Sequence, residues 1–219
     1  MVRCLAFLRE PIRSWRVILV AMSTQSTNDP VRDQLFEAAR ELIRSMGYAE
    51  MSHADLTSEV GIGRTTFYEH FSSKEDLLVQ MVRRDLPPLI AELIETVDET
   101  AAPDQRLLEL ARLMVAFVGT DHIGLILHTE VPHLSPRAQE QISEAHTGLS
   151  MAFADSYREG VRSGVFRMVP PRLAGRMMEQ MIMAGGKAVM EADDPATDVV
   201  DIAQYTAELV VAAFKVDRE

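Results

Sequence analysis

Cysteine is almost absent from this 219-residue chain, with Cys4 its only representative. That excludes a disulfide framework and any zinc site built on cysteine, and the usage suits a reducing cytoplasm. No stretch approaches the roughly 20 apolar residues that cross a bilayer, so no membrane partner is expected. Internal repeats and low-complexity tracts are missing too, and no segment sustains the apolar–polar alternation of a half-buried strand. Basic residues are scarce: 22 Lys and Arg face 33 Asp and Glu, a net charge of −11. Such a balance argues against broad, unspecific affinity for nucleic acid.

Residues 1–28 stand apart. Arg3, Arg9, Arg13 and Arg16 oppose a single Glu10, and a short apolar patch runs from Val17 to Met22. A secretory signal needs an apolar run of about 7–15 residues and a small-residue cleavage site, and neither is present. The segment is expected to be a flexible extension, or to lie upstream of a natural start at Met22.

What the chain does have is apolar content, 47% of residues, enough to bury a sizeable core. It recurs at a period near 3.6, which predicts an all-α fold. Asp29-Pro30 opens a first helix with an N-cap and a proline at the first helical position, and Gly47 ends it. Ser52 and Asp55 resemble a capping box and begin a short helix to Val60. Gly61-Ile62-Gly63 is a turn, and a second short helix follows from Arg64 to Phe71. Ser72 to Asp76 caps the next, with Leu77, Leu78, Met81 and Val82 on one face. Pro87-Pro88 is expected to start a new segment, because two prolines can begin a helix but do not continue one. That places a boundary between 29–85 and 86–219. In the second part a helix is expected at Leu107 to Val118, a long one over 136–163, another from Pro171, and a last one striped by Ile202, Tyr205, Leu209, Val210, Ala213 and Phe214.

The most informative stretch is Ser52 to Lys74. Apolar Leu56, Val60, Ile62, Phe67 and Phe71 let the two short helices pack against the first one, as in a helix-turn-helix. Arg64, Thr65, Thr66, Tyr68 and His70 are left on the open side of the second, where they can reach phosphates and base edges. The run Gly61-Ile62-Gly63-Arg64-Thr65-Thr66-Phe67-Tyr68-Glu69-His70-Phe71, then Ser73-Lys74-Glu75 and Leu77-Leu78, resembles the recognition-helix signature of the tetracycline-repressor (TetR) family. Gly47-Tyr48 matches as well, and the specific resemblance covers about residues 30–80. It implies that Thr66, Tyr68, His70 and Lys74 lie against the DNA backbone and that Arg64 and Thr65 read bases. Ser52 and His53 are expected near a phosphate, at a helix N-terminus. Three residues depart from the pattern: Gly63 where Ser often caps the helix, Thr57 in place of Ala, and acidic Glu69 on the DNA side.

Other residues carry less. His122, His128, His133 and Glu130 invite a metal reading, but Pro132 breaks the helical ligand spacing between His128 and His133, and no metal or cofactor is expected. Neither a nucleophile–base pair nor paired carboxylates are recognisable, so no enzyme is expected. Met177, Met178, Met181, Met183 and Met190 crowd one helix, as core filling or as part of an adaptable pocket. Gly185-Gly186 within it implies either a break or a close helix crossing.

The expectation is a homodimeric regulator of transcription with an N-terminal helix-turn-helix and a larger helical domain. A repressor released from a palindromic double-stranded operator by a small apolar effector is the specific form of it. The effector's candidate contacts are His122, His128, Tyr157, Met178 and Met181. A helical protein-interaction module, or a helical enzyme with a helix-turn-helix-like segment, is the alternative. The acidic balance of residues 29–85, seven basic against eleven acidic, is the feature that favours the former alternative.

Overall fold

The computed structural model describes residues 29–120, 124 and 129–216, and these form an all-helical molecule. The expectations for residues 1–28 and for His122 and His128 lie outside the described residues.

Helix α1 (Pro30–Met46) begins and ends where the sequence punctuates it. The Asp29 carboxylate accepts from the Arg32 amide, and Gly47 leaves the helix at φ 85°. Helix α2 (His53–Val60) opens on a complete capping box, in which Ser52 Oγ accepts from the Asp55 amide and Asp55 accepts from the Ser52 amide. Asp thus fills the role expected of Glu. Gly61, at φ 72°, turns the chain into α3 (Arg64–His70), whose N-cap Gly63 offers no side-chain acceptor. Helix α4 (Lys74–Glu95) is capped by Ser73. Phe36, Leu56, Phe67, Phe71, Leu77 and Leu78 are all buried to within 1%. They hold α1 to α4 as one packed unit.

Pro87 and Pro88 do not end α4, contrary to expectation. Each proline lacks the N–H that would reach the carbonyl four residues back, so Arg83 and Arg84 lose their helical donors. Burial compensates: Leu86 before the prolines and Leu89, Ile90 and Leu93 beyond them continue the apolar face of Leu78 and Val82 into the same core. Helix α4 is therefore shared, and the boundary at 85/86 marks no interruption of structure.

Just before the prolines sits the buried carboxylate of Asp85, 4% exposed. It pairs with Arg40 of α1 and with Arg84 Nε at 2.6 Å, while Arg84 Nη1 reaches Asp33 Oδ1 at 3.1 Å. Burial works against the charge on Arg40, but Asp85 and Glu37 outweigh it and raise its pKa.

Helix α5 (Pro103–Thr120) is the centre of the second half. Leu110, Leu113 and Phe117 face the first core, and Leu107, Ala111 and Val115 face a second one built with the last three helices. A 3-10 turn at Val131–His133 precedes α6 (Pro136–Ala145) and α7 (Thr147–Arg162). The single long helix expected over 136–163 is thus two. His146 separates them, its Nδ1 2.8 Å from the Ile142 carbonyl, where it competes for an acceptor the helix would use. Gly164, at φ 73°, ends the unit as expected.

Helices α8 (Pro171–Met190) and α9 (Pro195–Phe214) complete the second core. Gly185-Gly186 does not break α8; a Cβ on Gly186 would lie 2.3 Å from Val118 Cγ1, and one on Gly185 2.6 Å from Thr206 Oγ1. The glycines let α5 and α9 approach. The stripe expected for α9 is only partly the buried one: Val210 and Phe214 are buried with Ala203, Ala207 and Val211, whereas Tyr205 and Leu209 are 66% and 65% exposed. The face of α9 that meets the second core carries the small Ala203 and Ala207 instead, both buried.

Two measurements test this account. Asp85→Ala should lower the unfolding free energy in urea by about 3–5 kcal/mol, because Arg40 and Arg84 lose the buried carboxylate that they share; a loss below about 1 kcal/mol would mean the network behaves as a solvated surface pair. Gly186→Ala should lower Tm, since overpacking costs about 1–3 kcal/mol against a helix-propensity gain of roughly 1 kcal/mol. Gly175→Ala in the same helix, where a Cβ meets nothing within 4 Å, should raise it.

Candidate nucleic-acid interface and internal cavity

Helix α3 is held by one residue, Phe67, which is fully buried against α1 and α2. That anchoring turns Arg64, Thr65, Tyr68 and Glu69 to the outside, with Thr66 and His70 half-buried. Tyr68 stands between two planar groups. Arg64 lies 5.6 Å from its ring centroid, with Nη2 3.3 Å from the hydroxyl. On the other side the His53 ring stacks at 5.7 Å and 30°. Arg64, Tyr68 and His53 thus form a continuous, pre-ordered surface across α3 and the start of α2. Burial, with help from Arg64 and Lys74, lowers the pKa of His53, and its Nε2 is buried without a hydrogen-bond partner.

The remaining expected DNA contacts are placed differently from one another. Ser52 is exposed and occupied by its capping box. His70 Nδ1 lies 2.9 Å from Asp29 Oδ2, which ties the end of α3 to the N-cap of α1. Lys74 points inward: its ammonium donates to the carbonyls of Tyr48, Ala49 and Met51 at 2.8, 3.2 and 2.9 Å and sits 4.3 Å from the Tyr48 ring centroid. Burial lowers its pKa, against the pull of Glu130 and Glu50. Its donors hold the α1–α2 turn in the single chain. Thr57, the residue in place of Ala, bonds back to the Ala54 carbonyl.

The second feature is a cavity of about 600 Å³ enclosed by α4 to α8. Its walls are Leu86, Leu89, Ile90 and Leu93 from α4, Met114 and Phe117 from α5, Ile142 from α6, Phe153 and Tyr157 from α7, and Met178 and Ile182 from α8. Polar groups are few: Gln139, Ser143, His146, Ser150, Arg158 and Glu179. Burial lowers the pKa of His146, partly offset by the Ile142 carbonyl and by Glu179.

Of the expected effector contacts, Tyr157 and Met178 line this space. Tyr157 offers only its ring, because its hydroxyl donates to the Arg167 carbonyl and accepts from the Val169 amide, both at 2.9 Å. Met181 is not in the lining; it packs on the second core. Met183 lines the cavity instead. The α4 residues were missed in the sequence because Pro87-Pro88 seemed to close the helix that carries them. His146 and Ser150 were missed because a polar stripe at helical spacing normally reads as a solvated face. Among the described residues no group of three or more His, Cys, Asp or Glu could hold a metal ion, and no helix is long and apolar enough to cross a membrane.

Comparison with known proteins agrees with both features. Residues 35–81 match the model for bacterial regulatory proteins of the tetR family, and residues 100–184 match that for the tetracyclin repressor-like C-terminal domain. The fatty acid metabolism regulator protein of Bacillus subtilis is 22% identical over 183 residues, covering 82% of this chain and 93% of its own. The HTH-type transcriptional repressor KstR2 of Mycobacterium tuberculosis is 27% identical over 140 residues, 62% of this chain and 69% of its own. In three dimensions the transcriptional regulator FadR from Bacillus subtilis, solved in complex with stearoyl-CoA, superposes with a TM-score of 0.67 at 24% identity over 82% of this chain and 97% of that one. The first family model covers the helix-turn-helix and the start of α4, the second runs from α5 into α8, and the chain belongs to the tetR family of bacterial regulatory proteins, DNA-binding regulators of transcription.

Proposed function

We propose that this regulator is a homodimeric repressor that leaves a palindromic operator when a small, largely apolar effector fills the cavity. The carrying observation is that α4 belongs to both sites. Its first half packs under the helix-turn-helix, and Leu86, Leu89, Ile90 and Leu93 of its second half line the cavity. An effector that favours one placement of α4 over another changes the affinity for DNA by its differential affinity for the two states.

Dimerisation is supported by the exposed apolar face of the last two helices, where Leu173 and Met177 of α8 and Tyr205 and Leu209 of α9 stand in solvent in the single chain. Contiguous patches of this kind mark protein contacts. A two-fold pair would set two copies of α3 in successive major grooves, about 34–36 Å apart. The division of labour at 29–85 and 86–219 is functional in this reading. DNA contact would rest on Arg64, Thr65, Thr66 and Tyr68, with Ser52, His53 and His70 beside the backbone. The cavity's apolar walls support an effector with a large apolar part, as does the acyl chain of the stearoyl-CoA bound by the Bacillus subtilis regulator.

Arg64→Ala should weaken operator binding by about 1–3 kcal/mol and relax discrimination at one base pair per half-site, measured by fluorescence anisotropy on single-substitution operators; unchanged preference would remove Arg64 from base reading. With Lys74 committed internally, the slope of log K against log salt should be shallow for a helix-turn-helix dimer, and about ten released ions in a salt titration would contradict the interface. The effector should raise Tm with the logarithm of its concentration and release operator DNA over the same range. A screen in which only nucleotides did both would overturn the apolar reading.

A further inference from the structure

The cavity has a mouth, and the mouth has two unequal lips. Helices α7 and α8 both line the cavity, yet they are not among the helix pairs that pack closely on one another. Lining residues that are also exposed fall on these two helices, with Ser143 of α6 as the one other: Ser150, Ala154 and Arg158 on α7, and Pro171, Gly175 and Glu179 on α8. Each set is spaced at i, i+4, i+8, one helix face. They face each other across a slot that leads to solvent. Deeper in, Leu89, Leu93 and Phe117 are buried and apolar.

The slot is asymmetric in charge. Arg158 is the one cation of the described lining. It pairs with Asp155 of its own helix at 2.6 Å, both side chains 61% exposed. An exposed pair three residues apart holds its guanidinium weakly, so an incoming anion can take it over. Glu179 on the other lip is already engaged. It lies close enough to His146 to act on it electrostatically.

We propose that the effector is an elongated amphiphile with an anionic end, threaded tail-first through the α7–α8 slot, its charged end at Arg158. This rests on the effector reading above and specifies its chemistry and entry. At roughly 30 Å³ per non-hydrogen atom, the cavity admits a tail of roughly 20 atoms. Because the slot is open, the head is not limited by that volume, so a long-chain carboxylate and its bulky thioester share the required chemistry. Gly175 keeps the slot passable: a Cβ there meets nothing within 4 Å, so a larger side chain would project into the opening without touching the protein.

The experiment measures binding of palmitate, palmitoyl-CoA, hexadecanol and octanoate by isothermal titration and thermal shift on the full chain, beside operator release. Wild type should bind the first two and bind octanoate at least 10-fold more weakly. Palmitate alone would identify the free acid, and palmitoyl-CoA alone the thioester. Arg158→Gln should weaken the two long anions about 10-fold and leave hexadecanol unchanged. Gly175→Trp should abolish binding of all four, with Gly175→Leu as a second block and Gly175→Ala retaining binding. Undiminished binding by both blocked variants, or equal loss of hexadecanol and palmitate in Arg158→Gln, overturns the proposal. Binding without any release of operator DNA would leave this inference standing and refute the regulatory reading instead.

Discussion

The buried Asp85 carboxylate is shared by two arginines at the place where α1 meets α4. Arg40 comes from α1 and Arg84 from α4 itself, and Asp33 closes the network on the α1 side. Breaking a buried pair of this kind is far costlier than forgoing it, so α1 and α4 stay in register. The helix-turn-helix depends on that register, since α2 and α3 pack on α1 and on the start of α4. The cavity depends on it as well, because Leu86 follows Asp85 directly.

Pro87 and Pro88 fall within one turn of this network. Two missing hydrogen bonds there leave α4 less rigid than an uninterrupted helix, at the point where the DNA-facing half meets the cavity-lining half. A second tie spans the same distance: Glu75, in the first turn of α4, accepts from the Ser135 amide at 2.9 Å and from its hydroxyl at 2.6 Å. Ser135 is the N-cap of α6, which supplies Ile142 and Gln139 to the cavity. The two halves of the molecule are therefore joined by α4 itself and by a polar contact at its first turn.

Polar groups elsewhere divide between holding the fold and facing outward. Lys74 and the Tyr157 hydroxyl, both polar residues in functional neighbourhoods, are consumed by backbone carbonyls and amides that have no helical partner. Arg64 and Tyr68 bond only to each other on the open side of α3, at little cost to the fold if redirected. Chemical type alone does not separate these cases; the supply of unsatisfied backbone groups nearby does.

Local signals in the sequence determined the helical class, the limits of α1 to α3, the Ser52–Asp55 capping box and the outward placement of Arg64, Thr65 and Tyr68 on α3. Each depends on residues within about four positions of one another, and Asp29, Gly47 and Gly61 act through their own backbone geometry. Tertiary structure decided the rest. It carried α4 through two prolines because Leu89, Ile90 and Leu93 gain more from the shared core than the helix loses in hydrogen bonds. It split the long helix at His146, turned Tyr205 and Leu209 of α9 outward, and moved Met181 away from the cavity that Met183 lines. Those outcomes turn on how closely α5, α8 and α9 approach at Gly119, Gly185 and Gly186, a distance that no local pattern encodes.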